Sequence, residues 1–173
     1  MIQQTPWIER TFHFNYPVGT YPVIIERLRG TIPRLENLVQ GVSEELLGKK
    51  RDNSWSIKEQ VGHLFDLEEL WMGRINDFLS GETVLRAADM TNAKTRSGDH
   101  NSKNIGELLS LFKESRKKLI KNTESLDEKK VVVTAMHPRL KTQIRLLDSL
   151  YFVAEHDDHH ISKIRVLLLS PGS

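Results

Sequence analysis

Apolar residues recur at helical spacing in four separate stretches of this chain, and segments rich in Gly, Pro, Asn, Asp and Ser divide them. No strand alternation competes seriously, so the fold is restricted to helices that bury one face each. Tyr21 to Val39 reads as the first helix, with Pro22 tolerated in its first turn and Gly41 near its end; Pro33 within it predicts a kink or a break. The second, Ser56 to Leu79, carries the clearest start. In SWSIKEQVGHL, Ser56 can cap the amide of Glu59, whose carboxylate can reach back to the amide of Ser56. The third runs from Asn104 to Glu124, apolar through Ile105, Leu108, Leu109, Phe112 and Leu119. The fourth runs from Gln143 to Leu169, and Pro171 marks its end. Between the second and third lies a connection of about twenty residues, long for a compact domain and expected to be partly helical. VVVTAMHPRLKT reads as an irregular turn despite its valines. Together these elements predict an all-α four-helix bundle, one domain over residues 1–173 with residues 1–20 as an N-terminal extension.

Composition narrows the function. Hydrophobic residues make up 38% and charged residues 28% of the 173 residues, the balance of a globular protein. A net charge of +2, with Lys and Arg spread along the chain, gives no field that gathers nucleic acid. Cysteine is absent, which excludes disulfides, thiolate metal sites and a cysteine nucleophile. Neither a secretory signal nor a membrane-spanning run is evident, so a cytoplasmic protein is expected, acting on a small molecule without nucleic acid or membrane.

Residues 155–160 read EHDDHH. At about 100° per residue, with His156 as zero, His160 falls at about 40° and Leu146, Ile164, Leu150 and Leu168 at about 80–120°. His156 and His160 thus lie along the edge of the apolar stripe, one turn apart, where two imidazoles can share an ion. His159, at about −60°, is expected at the rim or surface. Asp158 faces solvent. Asp157 falls within the stripe at about 100°, so it should be buried and satisfied by a partner. A zinc-type site commonly takes three protein ligands and keeps a position open. His63 supplies the third, because on the second helix it aligns with Leu67 and Leu70 and faces inward. These three would meet at one end of the core. A single inward histidine is more often a satisfied core residue, and the coincidence of three is what favours a metal. Trp55 and Trp71 read as core anchors, KESRKKLIK as a solvated face with a Glu114–Lys118 pair, and His100, His137 and Arg139 as exposed loop residues before mouth-lining ones.

WSIKEQVGHLFDLEELW, followed far downstream by FVAEHDDHHISKIRVLL, resembles the DinB/YfiT-like metalloenzyme superfamily. The similarity extends from about Tyr21 to Leu169 and includes YPVIIERLRG. The resemblance implies an up-down-down-up bundle, a divalent metal, zinc or nickel, on His63, His156 and His160, and association as a homodimer. Relatives include bacillithiol transferases and mycothiol-dependent maleylpyruvate isomerase, which use a low-molecular-weight thiol as cosubstrate. The expected activity is therefore a thiol-dependent S-transferase. Two alternatives stay open: a hydrolase using a metal-bound water, with Asp66, Glu59 or Asp157 as candidate general base, and a non-catalytic metal-binding bundle.

Overall fold

Pro33 does break the first helix, and the break lies upstream of the proline itself. A proline ring collides with the carbonyl four residues earlier and offers it no N–H, so the turn ending at Arg29 cannot continue regularly. In the computed structural model, which describes residues 2–51 and 54–169, that helix divides into α1 (Tyr21–Arg29) and α2 (Thr31–Val39) at Gly30. A short α3 (Glu44–Gly48) follows. The next helix starts where its capping box puts it: Ser56 Oγ accepts from the Glu59 amide at 3.1 Å, and the Glu59 carboxylate accepts from the Ser56 amide at 2.9 Å. It runs as α4 (Ile57–Asp66) and α5 (Glu68–Leu79), divided at Leu67, with backbone bonds from Leu67 to His63 and from Trp71 to Leu67 spanning the division. Then come α6 (Ala93–Ser97), α7 (Ile105–Thr123), α8 (Glu128–Val131) and α9 (Leu146–Leu169).

The segment expected to be an irregular turn is a β-hairpin. Its strands, β1 (Thr134–His137) and β2 (Thr142–Arg145), pair antiparallel with Ala135 opposite Ile144. The valines that suggested strand lie just upstream, in and after α8. The pairing residues instead alternate buried Ala135 and His137 with exposed Thr134, over a stretch too short for its period to stand out. Gln143 opposes Met136, which is why α9 begins at Leu146 and not at Gln143. Pro171 lies outside the described residues.

The pair α1–α2 packs against α7 and α9, and so does the pair α4–α5, which sets the first leg diagonal to the second and α7 diagonal to α9. Two apolar clusters fill it. One joins Tyr21, Ile24, Leu28, Trp71, Ile75, Leu119 and Leu150; the other joins Ile32, Leu35, Val61, Leu64, Phe112 and Ile164. The first leg runs from the first cluster to the second, the next two run back, and α9 returns, giving the up-down-down-up order. Because α5 ends and α7 starts at opposite ends, the chain between them must travel the length of the bundle. That is the reason for the long connection.

Between the clusters every leg places polar residues: Thr31, then His63, Asp66 and Glu68, then Arg116, then His156, Asp157 and His160. The histidines therefore sit at the waist of the core and not at one end of it. Arg116 belongs to the run expected to be a solvated face, yet it is 2% exposed. It donates to Glu68 at 2.7 Å, to Asp157 at 2.5 Å and to the Leu28 carbonyl at 3.2 Å, and lies 4.9 Å from the Phe112 ring centroid. Spacing explains the burial, since Arg116 is four residues after Phe112 and three before Leu119 on one apolar stripe. Glu114 pairs with Lys117, at 2.7 Å, and not with Lys118. Asp157 is fully buried as its phase required, with Thr31 Oγ1 adding a bond at 2.7 Å. Asp158 is not free in solvent but half-exposed and paired with Arg27 and Arg34.

Removing one partner of a buried ion pair leaves the other charge uncompensated. Asp157→Ala should cost about 3–5 kcal/mol in urea unfolding, whereas Asp158→Ala should cost about 1 kcal/mol or less. Equal costs would contradict this account of the waist.

Candidate metal centre

The capped start of α4 fixes the direction of His63, and the anchoring of Asp157 fixes the rotation of α9 that carries His156 and His160. Each of the three imidazoles is 4–5% exposed. One ring nitrogen from each lies within 4.8 Å of the others, and the Nε2 atoms of His156 and His160 are 3.2 Å apart. Zn–N bonds of about 2.0–2.1 Å in tetrahedral geometry separate their nitrogens by about 3.3 Å, so the observed spacing fits two ligands of one ion.

Surrounding residues decide which nitrogen is offered. Thr95 Oγ1 donates to Asp66 at 2.9 Å, so its oxygen accepts from His63 Nδ1–H at 3.1 Å and leaves Nε2 with its lone pair. His160 Nδ1–H donates to Gln60 Oε1 at 2.5 Å with the same result. His156 Nδ1 has no partner among the described residues. Burial pushes His63 down to about 4, against the pull of Asp66. Burial, then the neighbouring imidazoles, hold His156 and His160 well below the usual histidine range. All three are neutral at pH 7, the form that ligates.

The candidate general bases fall elsewhere. Asp66 is engaged by Thr95 and by His100 Nε2 at 2.9 Å, Glu59 by its own helix start and Lys50, and Asp157 by Arg116. His100, expected in solvent, is buried: its ring lies on Gly62, where a Cβ would approach it to 2.3 Å. His159, expected at the rim, is 2% exposed. The N-terminal extension covers it, for Trp7 lies 5.6 Å from its ring and Gln4 donates to its carbonyl at 3.2 Å. Trp71 is a core residue that also meets the site, but Trp55 is only half-buried and lies over the histidines, 4.7 Å from the His63 ring.

A cleft of about 560 Å³ opens beside the three histidines. Trp7, Trp71 and Phe152 wall it, and Arg74, His137 and Arg139 line its far side. His137 and Arg139 come from the hairpin, so they line the mouth and are not free loop residues. Gln60, one turn before His63, was legible as sharing its helix face; Thr95 and Trp7 carry no local signal in the sequence.

The fold and this cluster define a helical-bundle protein with a buried three-histidine centre. The model of the DinB superfamily matches residues 27–164, and the chain belongs to that superfamily. Among solved structures it is similar to YfiT from Bacillus subtilis, described as a probable metal-dependent hydrolase with an unusual four-helix bundle topology. The TM-score is 0.80 at 23% identity, over 92% of this chain and 91% of that one. The mycothiol-dependent maleylpyruvate isomerase aligns with a TM-score of 0.68 at 11% identity, over 89% of this chain but 63% of the isomerase. A Streptococcus pneumoniae protein aligns at 0.66 and 13% identity, over 91% of each chain. No curated protein sequence matches.

Burial also holds His159 at about 4 and His137 at about 3, the latter with Arg74 and Arg139 adding to it. A histidine held below its unfolded value of about 6.5 takes up its proton first in the unfolded chain. Its stabilisation is complete above that value and is lost as pH falls toward the folded one. Urea unfolding in chelator should therefore show stability falling between pH 7 and pH 5; a flat profile would contradict the burial.

Proposed function

We propose that His63, His156 and His160 hold one divalent cation, zinc or nickel, through their Nε2 atoms, and that the protein is a metal-dependent enzyme acting in the adjoining cleft. The convergence of three neutral imidazoles, two of them oriented by buried partners, carries this reading. Three neutral ligands leave the charge of the ion intact, and a bound cation of this kind lowers the pKa of a thiol or water and polarises an electrophile. The favoured activity is transfer of a low-molecular-weight thiol to an electrophilic small molecule.

What the chain's own residues do agrees with thiol transfer. Among the described residues, Asp89 is the one carboxylate lining the cleft, and it is occupied by the amides of Thr91 and Ala93. No carboxylate on the cleft wall is thus free to act as a base among the described residues; His159 and His137 line it as neutral imidazoles, and a thiol with a lowered pKa needs no base. Thr95 and Gln60 keep the ligand rings turned toward the ion, while Trp7, Trp71 and Phe152 exclude water from the reacting groups. Hydrolysis is the second reading, favoured by the likeness to YfiT; the cleft itself argues against a bundle that only binds metal.

Purified protein should contain close to one equivalent of zinc or nickel per chain by elemental analysis, lost from His63→Ala, His156→Ala and His160→Ala. Thr95→Val should weaken the metal by about 10–100-fold, as expected for a residue that orients a ligand. Equal metal content in wild type and the triple variant would end the reading. With metal present, turnover of a generic electrophile should depend on added thiol; thiol-independent turnover would favour hydrolysis.

A further inference from the structure

The far side of the cleft carries a surplus of positive charge and N–H donors. Arg74, on α5, is 2% exposed, and among the described residues no carboxylate lies within ion-pair distance of it. The acid one turn along, Asp77, is taken by Arg86 through its amide, Nε and Nη2 at 2.6–3.2 Å. Arg74 Nε donates to the Arg86 carbonyl at 3.1 Å, and its Nη1 faces His137 Nε2 at 3.1 Å. His137 Nδ1, at 3.2 Å, already accepts from the Leu140 amide. A neutral imidazole has one lone pair, so in either tautomer one of these contacts sets N–H against N–H. Arg139 Nη2 is buried with no partner among the described residues, its guanidinium carbon 5.6 Å from the Phe152 ring centroid. Lys141, on the hairpin turn, also lines the cleft and is exposed. An unpaired buried cation costs several kcal/mol, and an oxyanion satisfies all of these groups at once.

We propose that Arg74, Arg139 and His137 form the subsite for an oxyanion group, a carboxylate or a phosphate, on the small molecule that occupies the cleft. Trp71 measures the gap to the three histidines: its ring is 5.4 Å from the Arg74 guanidinium and 5.8 Å from the His156 ring. A molecule anchored by its anion thus lays an apolar middle against Trp71 and Phe152 and presents its reactive end to the histidines. The inference rests on the cleft being the substrate site, and it names the class of substrate as anionic. Burial, with Arg139 and Arg86 adding to it, holds Arg74 down to about 10, which still leaves it charged at pH 7.

The test titrates full-length protein, as purified, with succinate, inorganic phosphate and the uncharged succinamide, read by calorimetry. Succinate, phosphate or both should bind, and succinamide should not; which of the two binds identifies the oxyanion. Arg139→Gln, at a half-exposed position that should not impair folding, and Arg74→Gln should each weaken that binding by about tenfold or more, as loss of a charge-assisted bond requires. Metal content should stay at the wild-type level in both. In His63→Ala the arginine-dependent binding should persist. Binding that is equal in wild type and Arg139→Gln, or no preference for anions over succinamide, overturns the subsite and leaves the metal reading standing. Anion binding in a protein that never takes up metal overturns the metal reading alone.

Discussion

One buried guanidinium ties the four legs of this bundle together. Arg116 on α7 reaches Glu68 on α5, Asp157 on α9 and the Leu28 carbonyl at the end of α1, while Asp157 also takes the hydroxyl of Thr31 on α2. Two carboxylates against one guanidinium leave an excess negative charge. Burial accordingly raises Glu68 above the usual carboxylate range, although Arg116 opposes it. Burial pulls Arg116 the other way, and Asp157 and Glu68 outweigh it, so its charge is secure. A buried network of this kind is a costly way to gain stability, and its known use elsewhere is to fix register.

Register is what the site needs. Asp157 follows His156 directly, so anchoring its carboxylate sets the rotation of α9 and with it the direction of His156 and His160. The division at Gly30 and the one at Leu67 fall at the same level, where the two apolar clusters part. The crossover then passes that level and contributes Thr95 behind His63, and the hairpin contributes His137 and Arg139 in front. Packing above and below the waist therefore holds a polar layer that could not hold itself.

Much of this was legible in the chain. Periodicity gave the helices, Ser56 and Glu59 gave the start of α4, and the phases of His63, His156, His160 and Asp157 gave their inward direction, though not their level, which was expected at one end of the core and lies at its waist. What failed did so for physical reasons. Arg116 looked solvated because its neighbours are charged, although its spacing from Phe112 and Leu119 marked it as inward. His100 is buried against Gly62 and Asp66 of α4, and His159 under the N-terminal extension, segments far away in the chain that no local pattern reports. The hairpin was missed because four-residue strands carry too little alternation to be told from a turn.

The central claim is that three imidazoles share one ion whose remaining position faces the cleft. X-ray absorption at the metal edge of the purified protein tests this most directly, because it counts ligands by type without requiring a substrate. The account predicts three imidazole nitrogens at about 2.0–2.1 Å with a further oxygen or sulfur neighbour, the latter changing on addition of a thiol. A first shell dominated by oxygen, with no imidazole scattering, would contradict it.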